Sequence, residues 1–99
     1  MSELYFDLAS LEAKADELET LNETFFTEVQ NLDDTEAALG AMWEGPANEA
    51  FRAAYARDAI QMRNFYNCIK SYVSTLRAIV ENYRRYEQMN ETIATNRTY

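Results

Sequence analysis

The chain has 99 residues, of which 26% are charged and 47% hydrophobic, with 17 acidic against 9 basic side chains and a formal net charge of −8. That balance predicts one small folded domain rather than a disordered segment, and it argues against nucleic acid and anionic membrane surfaces as partners, because binding phosphates requires clustered Lys and Arg. The absence of His and the single Cys68 remove the commonest catalytic base and any intrachain disulfide, so neither enzyme chemistry nor a metal or cofactor is expected.

The N-terminus, Met1-Ser2-Glu3-Leu4-Tyr5-Phe6-Asp7, is acidic and has neither a basic stretch nor a continuous apolar core, so it is not expected to act as a Sec-type signal peptide. From Leu4, the residues Leu8, Leu11, Ala15, Leu18, Asn22, Phe25, Val29, Leu32, Glu36, Leu39 and Trp43 follow at alternating spacings of four and three. Such a heptad seam predicts a first helix over about residues 4–40. Leu21 and Phe26 flank the seam and widen its apolar stripe, while Asn22 and Glu36 interrupt it.

Ala41-Met42-Trp43-Glu44-Gly45-Pro46-Ala47 carries the only Trp, the only Pro and one of two Gly residues. Glycine reaches positive φ without a Cβ clash, and proline suits the first position of a helix, so this stretch predicts a turn at about 41–46 and a second helix from about 46 to 90. The longest run of small or apolar residues, Ala37 to Trp43, is far short of the roughly 20 residues that cross a bilayer, and stable membrane insertion is not expected.

The second arm repeats the pattern with Phe51, Tyr55, Asp58, Met62, Phe65, Ile69, Tyr72, Leu76, Ile79, Tyr83, Tyr86, Asn90 and Ile93. Beside this seam Tyr66, Val73 and Val80 recur every seven residues as a second apolar strip. One strip can face the first helix, and the other needs a partner. Asp58 and Asn22 either set register as buried polar residues or lie at a wet edge. Cys68, beside Ile69, is expected to be a small buried packing residue, and the tyrosines to pack their rings while their hydroxyls reach water. Residues 91–99 lose apolar density and gain Thr and Asn, which predicts a flexible tail.

Residues 1–46 hold twelve acidic side chains and one basic, Lys14, whereas residues 47–99 hold eight basic and five acidic. Antiparallel packing of the arms is therefore electrostatically favoured, though each exposed pair contributes only a few tenths of a kcal/mol. The expected fold is all-α: an antiparallel helix-turn-helix hairpin whose arms of roughly 55 to 65 Å lack a globular core and dimerise into a four-helix bundle. Leu11, Leu18, Phe25, Val29, Leu32, Phe65, Ile69, Tyr72, Leu76 and Ile79 are the expected core and dimer seam.

A length near one hundred residues, Trp43-Glu44-Gly45 near the midpoint, two helical arms, and Tyr83-Arg84-Arg85-Tyr86-Glu87 near the end of the second helix occur together. In this the chain resembles the Trp-x-Gly family of small type VII (Esx) secretion substrates, of which early-secreted-antigen proteins are the best known. The resemblance spans the whole chain. It implies a hairpin that dimerises into a four-helix bundle, is made in the cytoplasm and is exported folded, without a cleavable signal peptide, by an ATPase-driven machine. Trp43 and Gly45 would then be the turn motif, and Tyr83 and Glu87 the export signal offered to the secretion ATPase. In an antiparallel dimer, Trp43 of one chain and Tyr83 and Glu87 of the other form one composite signal.

The blander readings stay open beside these. Trp43-Glu44-Gly45 also fits a turn in which an aromatic plugs the end of a bundle, Tyr83 also fits the seam with Ile79 and Tyr86, and Glu87 then sits one turn further on in solvent. Asp33, Asp34 and Glu36 lack the spacing of a calcium loop and fit a solvated helix face. The partner is either a second copy, which the opposite charges of the two arms favour, or a paralogous hairpin. A cytosolic adaptor or chaperone for a larger type VII toxin and an intracellular coiled-coil scaffold are the competing functions. Membrane lysis is disfavoured for want of a basic amphipathic face.

Overall fold

A computed structural model describes residues 7–96, with side chains described through residue 92. It consists of two helices, α1 (Leu8–Gly40) and α2 (Pro46–Asn96), folded back on each other in a hairpin measuring 84 × 21 × 16 Å. The expected beginning of the first helix at Leu4 and residues 97–99 of the expected tail lie outside the described residues. Asp7 caps α1: its carboxylate accepts from the Ser10 backbone N–H at 3.1 Å and from the Ser10 hydroxyl at 2.7 Å, and these bonds hold its pKa below the ordinary value. α2 continues through Asn96, into the stretch where Thr and Asn predict fraying. Extending an established helix adds one hydrogen bond per ordered residue, which offsets much of a modest loss of propensity.

The antiparallel register is fixed by contacts that march in opposite directions along the two helices. Arg84 meets Glu12 at 2.8 Å, Arg77 meets Asp16 at 2.7 Å and Glu19 at 2.9 Å, the Tyr66 hydroxyl donates to Glu23 at 2.9 Å, Arg63 pairs with Asp33, and Arg52 reaches Glu36 at 3.4 Å. In each of these ion pairs the acid belongs to α1 and the guanidinium to α2. The uneven charge of the two arms is thus realised as a clasp along one flank of the hairpin. Between the helices, the Asn22 side-chain amide donates to the Tyr66 carbonyl at 3.0 Å, and Asn22 is buried, 5% exposed. Asp58, in contrast, is solvent-exposed.

Both seams split lengthwise. On α1, Ala15, Asn22 and Val29 are buried against α2, while Leu11, Leu18 and Phe25 are half-buried and Leu32 and Leu39 exposed. On α2 the strip that turns inward is Ala59, Tyr66, Val73 and Val80, and the alternate seam members Phe65, Tyr72, Ile79 and Tyr86 face outward. Charge explains the choice. Arg63, Lys70, Arg77 and Arg84 recur every seven residues on the far side of the inward strip. Rotating α2 by the roughly 100° between successive residues would bury Phe65, Tyr72 and Ile79 but swing Arg63, Arg77 and Arg84 off the acids of α1. The small side chains of Ala15 and Ala59 also permit close approach of the two backbones, which bulkier Phe65 and Tyr72 would not.

Cys68 is exposed, contrary to the expectation of a buried packing residue. It lies on the opposite side of the seam from the inward strip, one turn before Tyr72, and so looks away from α1. The tyrosines at 55 and 66 likewise depart from the expectation of hydroxyls in water, since each donates to a carboxylate of α1.

Candidate functional site

The turn between the helices is built by three devices. Ala41 keeps helical angles after Gly40, and its N–H donates to the Ala37 carbonyl at 3.1 Å, while the Met42 N–H donates to Leu39 at 3.1 Å. The chain then reverses at Gly45, whose φ of +117° is a conformation that L side chains rarely adopt, and the Gly45 carbonyl accepts from the Glu49 N–H at 3.1 Å to open α2. Asn48, in the first turn of α2, reaches back: its amide nitrogen donates to the carbonyls of Gly40 at 3.1 Å and Trp43 at 2.9 Å. Trp43 is 41% exposed and leans on Phe51, with ring centroids 6.3 Å apart at 54°.

Just inside the turn lies an interhelical polar cluster. The Tyr55 hydroxyl donates to Asp33 at 2.5 Å and Arg63 pairs with the other carboxylate oxygen. The Tyr55 hydrogen bond first, and then Arg63, hold the Asp33 carboxyl below its usual range, while burial and the Asp33 bond push Tyr55 up to about 12. Asp33 and Glu36, expected on a solvated face, are therefore half-buried and paired with α2. Among the described residues no group of acidic or thiol side chains has the arrangement to hold a metal ion. No described helix is long and apolar enough to cross a membrane.

Along the outward face, Phe25 and Phe65 meet edge to face with centroids 5.5 Å apart, which places the half-exposed seam of α1 and that of α2 on the same side of the hairpin. Phe65 is 55% exposed, Tyr72 59%, Ile79 41% and Tyr86 66%. With Leu32, Leu39 and Leu21 of α1 they form a long apolar face that the single chain leaves open, larger than the isolated apolar residues normal on a surface. Of the expected seam residues, Val29 is consumed inside the hairpin, Leu11, Leu18, Phe25, Ile69 and Leu76 are half-buried at its margin, and Leu32, Phe65, Tyr72 and Ile79 stand outside.

Tyr83 and Glu87 lie one turn apart on α2, both exposed, where α2 passes the beginning of α1. Arg84 between them donates to both oxygens of Glu12, and that bond, with smaller contributions from Glu81 and Glu87, raises the guanidinium pKa. Roughly 55 Å of helix separates Tyr83 from the turn at 1.5 Å rise per residue, so one chain does not bring Trp43 and Tyr83 together. Sequence reasoning missed Asn48 and the Tyr55–Asp33–Arg63 cluster. The one available signal for Asn48 was the tendency of Asn to bond nearby backbone at turns.

Compared with known proteins, the sequence matches a family described as proteins of 100 residues with WXG, over residues 4–88, a span that includes Trp43-Glu44-Gly45 and both Tyr83 and Glu87. No curated protein and no solved structure matches the chain. Because the match covers most of its length, the chain belongs to the WXG100 family, whose membership suggests a type VII secretion substrate.

Proposed function

We propose that this protein is exported as a folded dimer by a type VII secretion system and acts outside the cell by protein–protein contact rather than by catalysis. The observation that carries the proposal is the family match over residues 4–88. The open face of Leu32, Phe65, Tyr72 and Ile79 supports dimerisation, because apolar side chains in that number gain by leaving water. Two hairpins joined through it make a four-helix bundle. The partner in this reading is a second copy: the apolar members lie on one face, and the net charges of the two helices are opposite. A paralogous hairpin is the alternative partner.

In an antiparallel dimer the turn of one chain lies near the far part of α2 of the other. Trp43 and Gly45 of one protomer, with Tyr83 and Glu87 of its partner, then form the composite signal read by the secretion ATPase. The test is fractionation of the native bacterium into medium and cytosol, for wild type, a strain lacking that ATPase, and folded Tyr83→Ala, Glu87→Ala and Glu87→Gln variants. ATPase-dependent export that is lost in the variants supports the reading. Protein confined to the cytosol in every strain overturns it and leaves an adaptor or scaffold. Export unchanged in the Glu87 variants removes Glu87 from the signal and leaves it as a solvated neighbour of Arg84.

A further inference from the structure

We propose that Asn48 is a positioning residue for Trp43, so that the working unit of the turn is Trp43, Gly45 and Asn48 together. The last carbonyls of α1 lack partners within their own helix. Those of Ala37 and Leu39 are taken by the Ala41 and Met42 N–H groups, whereas the Gly40 carbonyl is taken by the Asn48 side chain from the other helix. The second hydrogen of the same amide goes to the Trp43 carbonyl at 2.9 Å.

One nitrogen with two hydrogens on a short stem is what this task requires. Aspartate has no donor when ionised, and serine or threonine has one. The orientation of the amide follows from its partners, since both are carbonyl oxygens and only the nitrogen can face them. The side-chain oxygen is left buried with no hydrogen-bond partner, so the amide is held by its donor side alone. Trp43 is thereby docked on α2 at two points: its backbone on Asn48, and its ring on Phe51, one turn further along the helix. Gly45 then completes the reversal with its positive φ.

Trp43 is the only tryptophan, so its fluorescence reports on its own placement. The experiment measures emission and acrylamide quenching, alongside helix content by circular dichroism, for the full chain as wild type, Asn48→Ala and Asn48→Asp, from neutral pH down to about pH 4, the ordinary carboxylate range. At neutral pH both variants are expected to keep their helix content while Trp43 shifts to the red and becomes easier to quench. On acidification Asn48→Asp alone should return toward the wild-type signal, because the protonated carboxyl regains one donor. Glu36, Glu44, Glu49 and Arg52, the charged groups near the turn, are the same in wild type and Asn48→Ala, which control for them. Wild-type Trp43 behaviour in both folded variants overturns the proposal, and should Asn48→Ala unfold, failure of Asn48→Asp to recover at low pH does the same. The consequence for secretion rests on the export reading and separates from it. If the variants release Trp43 and are still exported, the positioning role stands and Trp43 drops out of the signal. If export is lost with Trp43 unmoved, the positioning role falls.

Discussion

Replacing Tyr72 and Ile79 together by alanine perturbs the outward face and little else. Tyr72 is 59% exposed and Ile79 41%, so the pair leaves outside the hairpin about as much surface as one large side chain fully in water. Burying that surface in a dimer contributes about 1.5 to 3 kcal/mol per chain, and a symmetric interface loses it twice, about 3 to 6 kcal/mol. The expected weakening of self-association is therefore roughly 10²- to 10⁴-fold in Kd. Sedimentation over a dilution series measures this, with Lys70→Ala on the opposite flank as the control expected to dimerise like wild type. Wild-type Kd in the double variant, or a wild type that stays monomeric at every concentration, refutes the assignment of this face to a second copy.

The charged flank predicts a stability profile with two edges. The Arg84 and Arg77 hydrogen bonds hold Glu12 and Glu19 below their ordinary values, as Tyr55 and then Arg63 do for Asp33, so the stability these carboxylates contribute is present above their unfolded pKa values, about 4.3 for Glu and 3.9 for Asp, and is lost as pH falls through the lower folded values. Tyr55 acts in the opposite sense: its folded pKa is pushed up to about 12, so its contribution is complete below the unfolded value and disappears as pH rises through the folded one. Urea midpoints should be flat between about pH 5 and 9 and fall on either side, and a midpoint unaffected by acid would contradict the clasp. The two glycines should respond differently to alanine. At Gly45 nothing lies within 4 Å of an added Cβ, yet the φ of +117° makes the change cost about 1 to 3 kcal/mol of backbone strain. At Gly40 an added Cβ meets Arg52 Nε at 2.8 Å, the mobile part of a side chain that can move off Glu36, and a helix gain of about 1 kcal/mol offsets the weakened pair. Thermal melts should therefore show Gly45→Ala well below Gly40→Ala. Asn22→Ala removes the bond to the Tyr66 carbonyl and should cost about 0.5 to 1.5 kcal/mol in chemical denaturation, whereas Asn22→Asp, which points a charge at that carbonyl from a buried position, should cost more.

The helical hairpin was legible because its signals are local. A sustained heptad spacing on each side of a Gly-Pro step, despite polar members such as Asn22, Glu36 and Asp58, states where helices can run, and the opposite charges of the arms state that they attract. The assignment of faces was not legible. Phe65, Tyr72 and Ile79 and the neighbouring Tyr66, Val73 and Val80 are both apolar strips, and hydrophobicity alone does not rank them. What decides is whether Arg63, Arg77 and Arg84 reach the acids of α1, a property of two helices at once. Cys68 was misplaced for the same reason, its burial depending on which strip turns inward. Asn48 escaped because its partners, Gly40 and Trp43, come within reach only after the chain has reversed.

The same rotation of α2 that closes the charged clasp also settles what the hairpin offers to others. The interior it creates is made of Ala15, Val29, Ala59, Val73 and Val80, and among the described residues no large side chain is completely buried. Exposed ion pairs contribute only a few tenths of a kcal/mol each, so the clasp orients the helices more than it stabilises them. Phe65, Tyr72, Ile79 and Tyr86, large side chains that could stabilise a fold of this length, sit on the opposite side, in positions that one chain alone does not cover. If this face is the proposed dimer face, folding of the single hairpin and association through it are coupled. A chain arranged in this way is expected to gain most of its stability on meeting a partner, so its melting temperature should rise with protein concentration wherever the bundle forms.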